Sequence, residues 1–339
     1  MSERLQKEYT MDRRSLLAMA ASAALAPGAA VRAAGRETDT VRLTWGFGGL
    51  PLIAKKRGEF ARTLAKDNIR VEWTGAFPNH APTIQAVVGG SADFRFGGST
   101  TPALAAILAG SPLAFSLFAV VEPRTTAITA KDGSGINSVS DLVGKTVAVN
   151  RSGLGEFILA AALEKYHVDR SKVKVVYLNP PEAAPAFGSG QVDAWAMWSP
   201  GVDLARSQYK GHDIFLEGRD LDFQIDFSSW LVRKEFSERN RDLVEAVNAA
   251  FTAEAEWASA HSAEAETIAQ VQGHYDDAIR DMFISWKRQY HIHRADDQGF
   301  WPNCSAPRTG FRPARCCRGP CAWRIISCRS DTGRRGGGA

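Results

Sequence analysis

Cysteine is missing from the first 303 residues of this 339-residue chain, and all five lie between Cys304 and Cys328. That absence excludes a disulfide framework from the body and leaves it no thiol nucleophile. Long apolar runs are missing too. The run Leu16–Ala26, about a dozen residues, is too short to cross a bilayer about 30 Å thick. Positive charge is scarce where it would matter for nucleic acid. From Asn303 onward eight arginines face one acid, Asp331, so this tail carries +7 and the rest of the chain −3. A mildly acidic body gives no support to nucleic-acid binding. At 45% hydrophobic and 23% charged residues, the chain has the composition to bury a core, and its length suits two domains.

The N-terminus has an address of its own. The stretch "MDRRSLLAMAASAALAPGAAVRAAG" carries Arg13 and Arg14, then the apolar run, then small residues, and is similar to a twin-arginine export signal. Cleavage after Ala33 is expected, which makes 1–33 the signal and puts the mature chain in the periplasm. The tail 303–339 has neither helical nor strand period. Its cysteine spacing fits no four-ligand zinc pattern, so it reads as a low-complexity or out-of-frame end, expected to be disordered. No metal and no cofactor is expected. His291 and His293 read as surface residues.

From Val41 short apolar runs alternate with amphipathic stretches. "VRLTW", "IRVEWTG" and "DFRFGG" read as strands; "PLIAKKRGEFARTLAKD", "PTIQAVVGG" and "PALAAILAG" read as helices. The rhythm returns in "GKTVAVNRSG", "GEFILAAALEKYHV", "VKVVYL", "PEAAPAFGSG" and "VDAWAMW", and predicts an α/β fold with largely parallel sheets. Two segments echo each other. "VVGGSADFRFGG" and "AFGSGQVDAWAMW" each run from a helix end through a glycine (Gly90, Gly190) and an aspartate (Asp93, Asp193) into an apolar strand. Glycine suits the left-handed residue that ends a helix, and aspartate suits the turn that follows. Two lobes on one plan would produce this pattern. Residues 241–288 read as mostly helix.

Two strand-to-helix corners stand out. In "RFGGSTTPALAAILAG", Gly97 and Gly98 permit close approach, Ser99, Thr100 or Thr101 can cap the helix, and Pro102 suits its first turn. "NRSGLGEF" sets Arg151, Ser152 and two glycines at a second corner. Free N–H groups at helix starts favour anions and polar oxygens, and open α/β sheets bind ligands beyond the carboxyl ends of their strands.

The segments "GGLPLIAKKRGEF", "APTIQAVVGGSADFRFGGSTTPALAAILAG", "SVSDLVGKTVAVNRSG" and "SGQVDAWAMWSPGVDLA", within residues 41 to 290, resemble periplasmic solute-binding proteins of ABC importers, in the nitrate/sulfonate/taurine family. The resemblance implies a periplasmic-binding-protein type II fold. Two α/β lobes, joined by two hinge crossings, would enclose a cleft and close on a small organic solute. Lobe 1 would be 39–125 plus 225–302, and lobe 2 would be 126–224. It also implies an ABC permease of the inner membrane as partner, with the binding protein a monomer. Carried over position by position, the ligand site would use Gly48, Gly49 and Leu50, then Asn79 and His80, then Ser99, Thr100 and Thr101 in lobe 1. Lobe 2 would contribute Arg151, Ser152, Gly153 and Glu156, with Trp195 and Trp198. Ser229 and Trp230 would complete it.

Each of these residues has a plainer reading. Trp195 can be core, His80 a loop residue and Glu156 part of a capping box. Glu156 would repel a sulfonate unless Arg151 or Arg124 offsets it, and Ser199 stands where the family often has an acid before its proline. Trp45, Trp195, Trp198 and Trp230 point to a solute with an apolar or aromatic body. The fold is shared with aromatic sulfinate desulfinases and thiamine pyrimidine synthases. The desulfinase chemistry needs a cysteine after the first strand, where this chain has "WGFGGLP". A periplasmic sensor domain is a third reading.

Overall fold

The computed structural model describes residues 36–300 except 47, 78, 79, 274, 298 and 299. The export signal, the tail and Asn79 therefore lie outside the described residues. The first half runs β1 (Thr40–Gly46), α1 (Leu50–Arg57), α2 (Glu59–Ala65), β2 (Arg70–Phe77), α3 (His80–Val88), β3 (Phe94–Ser99), α4 (Thr100–Leu108) and β4 (Leu113–Glu122). The chain then crosses to β5 (Ala127–Lys131), β6 (Thr146–Val149), α5 (Leu154–Lys165), β7 (Lys174–Tyr177), α6 (Pro180–Gly188), β8 (Ala194–Met197), α7 (Gly201–Ser207), β9 (Gly211–Leu216) and α8 (Glu217–Asp220). It returns through β10 (Ser228–Arg233), α9 (Lys234–Arg239), α10 (Arg241–Ala260), α11 (Ser262–Gly273), α12 (Asp277–Trp286) and β11 (Gln289–Arg294).

Two sheets result. The first has the order β11–β4–β10–β3–β1–β2 and the second β7–β6–β8–β5–β9. In each, three parallel strands (β2–β1–β3 and β7–β6–β8) meet an antiparallel fourth, β10 or β5, the first strand after a crossing between the sheets. This is the two-lobed α/β plan expected, with crossings after β4 and after α8. Each sheet has its own core. One gathers Leu43, Ile53, Phe60, Phe94, Phe96, Trp230 and Phe251, and the other Ile128, Val147, Val149, Ile158, Ala194 and Phe215.

The echo in the sequence is structural. Gly90 and Gly190 both have φ of +78°. Asp93 accepts the N–H of Arg42 at 2.9 Å and returns its own N–H to the Arg42 carbonyl. Asp193 does the same with Thr146, at 2.7 Å. Each aspartate thus joins its strand to the start of the parallel neighbour, a longer reach than the local turn the sequence predicts. The single helix expected over "PLIAKKRGEFARTLAKD" is two, because Gly58 at φ +73° breaks it. The edge strand β11, which carries His291 and His293, was not anticipated.

The helical pair α11–α12 ties the lobes together on one flank. Leu204 of α7 packs on Tyr275, Ile279 and Phe283, and Gln208 donates to Asp276 at 2.7 Å. The crossings themselves hold a buried acid pair. Glu217 is 0% exposed, and its Oε1 accepts the N–H groups of Ile225 and Asp226, with Arg124 at 3.8 Å. Asp226 accepts the Thr126 hydroxyl. Burial, and next the nearby Asp226 charge, push Glu217 from 4.5 up to about 7, and burial raises Asp226 as well. The Glu217 Oε2 has no partner among the described residues.

A carboxyl with a raised folded pKa binds a proton the unfolded chain has released. Its stabilisation is therefore full below about pH 4.5 and is lost as pH rises through about 7. Glu217→Gln keeps the Oε1 acceptor and removes the titration. The unfolding free energy of the variant, from urea denaturation, is expected to fall less between pH 5 and pH 8 than that of the wild type, by up to roughly 3 kcal/mol. Parallel pH profiles would refute the assignment.

Candidate functional site

The first corner lies at the carboxyl end of β3. Register places Ser229 of β10 opposite Gly98 and Ser228 opposite Ser99, so four small residues meet where α4 begins. The glycines answer to two large rings. A Cβ on Gly98 would stand 2.0 Å from Nδ1 of His80, and one on Gly97 would stand 3.1 Å from the Trp230 ring. Ser99 Oγ donates weakly to Thr101 Oγ1, at 3.4 Å. Thr100 is turned inward, and both its hydroxyl and its N–H donate to the Phe227 carbonyl. Its oxygen retains lone pairs but has no proton for a solute. Ser99 spends its proton on Thr101, and Ser229, expected in the site, is 0% exposed, so among the hydroxyls here Thr101 is the donor left for a solute. The glycine corner after β1 adjoins in sheet order. Gly48 and Gly49 are exposed, and Gly49, at φ +74°, precedes the buried Leu50. Trp45 is half-buried with Lys55 Nζ 4.6 Å above its ring.

Beneath the first corner lies a residue that sequence reading missed. Arg95 is 0% exposed. Its Nη1 donates to the Ser229 hydroxyl (3.1 Å) and carbonyl (3.3 Å), its Nη2 to the Ser99 carbonyl (3.2 Å), and its Nε lies 3.4 Å from Thr83 Oγ1. Burial pulls Arg95 down to about 9. Burial, with the Arg95 charge as a second cause, drives His80 down to about 3, so His80 is neutral over the physiological range. The alternation in "DFRF" separates Arg95 from Phe94 and Phe96. Nothing local tells that its side is covered by α3 and β10 rather than by water.

The second corner follows β6. Asn150 Oδ1 accepts the N–H of Gly155 at 2.9 Å, holding the start of α5. Ser152 is exposed and in the left-handed region at φ +54°. Gly153 is buried, because Asn150 occupies the place a Cβ would take. Glu156 is already engaged. It accepts the Ser152 N–H at 2.7 Å and the Tyr177 hydroxyl at 2.7 Å, and Arg170 is 3.8 Å away. Arg151 stacks over the Tyr177 ring at 3.8 Å. The Glu156 hydrogen bond raises the Tyr177 hydroxyl above its ordinary range. Arg151 and Arg170 offset Glu156, while Arg124 faces Glu217 at the crossing instead. Tyr177 and Asn150 were not anticipated; a strand-end tyrosine and a pre-helical asparagine carry no distinctive spacing.

Two expected lining residues lie deeper. Trp195 is 2% exposed against Phe187 and Met197, and Trp230 is 1% exposed against Phe251. Their rings complete the cores below the corners. Trp198 is half-buried where two clusters of the second lobe meet. Two surface hollows flank β11, one beside His291 and His293 and one beside Phe115 and Arg294, and none of the candidate residues lines either. Among the described residues no group of three or more His, Cys, Asp or Glu side chains is placed to hold a metal, and no helix is long and apolar enough to cross a membrane.

The NMT1/THI5-like family pattern matches residues 52–265, which span both corners. The chain belongs to the NMT1/THI5-like family. A relative from Bacillus subtilis, a putative aliphatic sulfonates-binding protein, is 31% identical over 218 residues, covering 64% of this chain and 64% of its own length. The chain thus spans just under two thirds of that relative. Among solved structures, the periplasmic aliphatic sulphonate binding protein SsuA from Escherichia coli superposes with a TM-score of 0.68 at 20% identity, over 77% of this chain and 88% of its own. The desulfurization enzyme DSZB superposes at 0.53 with 16% identity, over 74% and 86%. These likenesses establish the fold as that of the type II periplasmic binding proteins. Within this NMT1/THI5-like chain, the two corners at the strand ends are the places the fold makes available to a ligand.

Proposed function

We propose that this protein is the periplasmic solute-binding component of an ABC importer, and that it captures a small organic solute of the sulfonate, taurine or nitrate kind as its lobes close. The observation that carries this reading is the pair of corners, one per sheet, each with a hydroxyl at a helix start, Thr101 or Ser152, and net positive charge in its surroundings. The sulfonate-binding relative supports the same class of solute. Thr101 would donate from one lobe, and Ser152, Arg151 and the exposed edge of Tyr177 would meet the solute from the other. Binding of this kind needs no general base, only a closed state that holds the solute better than the open one. An inner-membrane permease would be the partner that receives the closed form.

A thermal-shift screen of alkanesulfonates, taurine, nitrate, aromatic acids and pyrimidines tests the reading. A true solute at a hundredfold over its dissociation constant adds about 2.7 kcal/mol, several degrees in Tm for a body of this size. No shift with any of them would overturn it. Ser152→Ala removes an exposed hydroxyl and is expected to weaken binding roughly three- to tenfold, with Tm of the unliganded protein unchanged. Titration calorimetry on both proteins measures this. The fold likeness to a desulfurization enzyme motivates a parallel assay for sulfite release from aryl sulfinates, where none is expected.

A further inference from the structure

A hinge made of two crossings can turn only if both change shape, and here one side chain holds both. Glu217 opens α8 and gives its N–H to the Thr126 carbonyl of the first crossing at 2.9 Å. Its Oε1 takes the N–H groups of Ile225 and Asp226 of the second crossing, at 2.7 and 3.0 Å. Asp226 closes the ring by accepting the Thr126 hydroxyl. The charges in this ring do not balance. Arg124, from the first crossing, faces Glu217 at 3.8 Å, and Asp226, from the second, brings another acid. The neighbouring charges are engaged elsewhere: Arg219 pairs with Asp220 at 2.7 Å, and Lys165 of α5 turns to the Asp220 carbonyl. With both acids ionised the cluster carries one uncompensated negative charge largely out of water, which is costly; with one proton it is neutral. Burial and the second acid accordingly move the Glu217 carboxyl up to about 7.

We propose that this cluster is a proton-operated brace on the hinge: while it holds one proton the crossings keep the geometry described, and when the proton leaves, the lobes pivot so that water reaches the remaining charge. Water screens what Arg124 alone does not, so the ionised cluster favours a hinge in which one of the acids is wetted. The proton belongs to the pair, and it leaves as pH rises through about 7. The brace rests on the lobe movement of the solute-binding reading and is indifferent to which solute is enclosed.

Residual dipolar couplings of the labelled full chain, without solute, give the orientation of one sheet relative to the other. Between pH 6 and pH 8 the wild type is expected to turn by about 5° or more, with the couplings inside each sheet unchanged in their fit. Glu217→Gln keeps the Oε1 acceptor and cannot ionise, so its orientation should stay fixed over the same range. Asp226→Asn leaves Glu217 facing Arg124 alone, a neutral pair that needs no proton, and should stay fixed as well; it carries the test if Glu217→Gln does not fold. A wild type with one orientation at both pH values overturns the brace, and so does a turn that persists in a folded variant. Either result leaves the solute-binding reading standing, because no solute enters the measurement. A thermal-shift panel without any response overturns that reading and not a pH-dependent turn measured in the empty protein.

Discussion

Trp230→Ala is expected to lower stability by about 3–5 kcal/mol, the range for removing a large aromatic from a well-packed core. The ring is 1% exposed, lies 5.3 Å from Phe251 centroid to centroid, and covers Gly97 so closely that a Cβ there would stand 3.1 Å from it. It belongs to the cluster of Leu43, Ile53, Phe94 and Phe96 that holds the first sheet to α1 and α10. Its indole N–H has no partner among the described residues, so Trp230→Phe gives up no hydrogen bond and should cost less than about 2 kcal/mol. Urea midpoints of the two variants measure the difference. Solute affinity of Trp230→Phe is expected to stay within about twofold of the wild type. A large loss of affinity with stability intact would mean that the ring meets the solute directly.

Gly155→Val is the second large effect, and it acts on the other lobe. A Cβ at Gly155 would lie 2.3 Å from the Ala196 carbonyl oxygen and 2.8 Å from Asn150 Oδ1. The first is backbone in the middle of β8 and has nowhere to go. The start of α5 must lift, which breaks the Asn150 to Gly155 hydrogen bond and moves Ser152 and Glu156 with it. The expected cost is about 3 kcal/mol or more, together with loss of solute binding. Gly98→Ala is an instructive contrast. Its clash is with the His80 side chain, which can turn away, so the site should suffer more than the fold. Near-wild-type urea midpoints for Gly155→Val would show that α5 does not depend on this close approach.

What could be read from the chain, and what could not, divides along the range of the interactions involved. The helix-ending glycines were legible, because cap geometry is set within a few residues, whereas the aspartates that follow them bond to a parallel strand about fifty residues away. The corners were legible as strand-to-helix turns, since glycine, hydroxyl residues and a proline mark where a helix starts. The break at Gly58 shows how narrow the margin is: amphipathic spacing continued across it, and one left-handed residue decided otherwise. The acid pair Glu217–Asp226 was invisible, since its burial depends on the first crossing, with Arg124 and Thr126, lying against the second.

The sequence by itself determined two α/β halves on one plan, with a helix start opening at a strand end in each. Periodicity and cap chemistry are local, and they do not depend on what packs above. Only the tertiary structure decided which faces those strands bury. It placed β10 beside β3 from more than a hundred residues away, put Trp195 and Trp230 beneath the corners rather than in them, and sealed the charge of Arg95 under Ser229. Burial and isolation of a charge are properties of the assembled neighbours, which the strand that carries Arg95 does not encode.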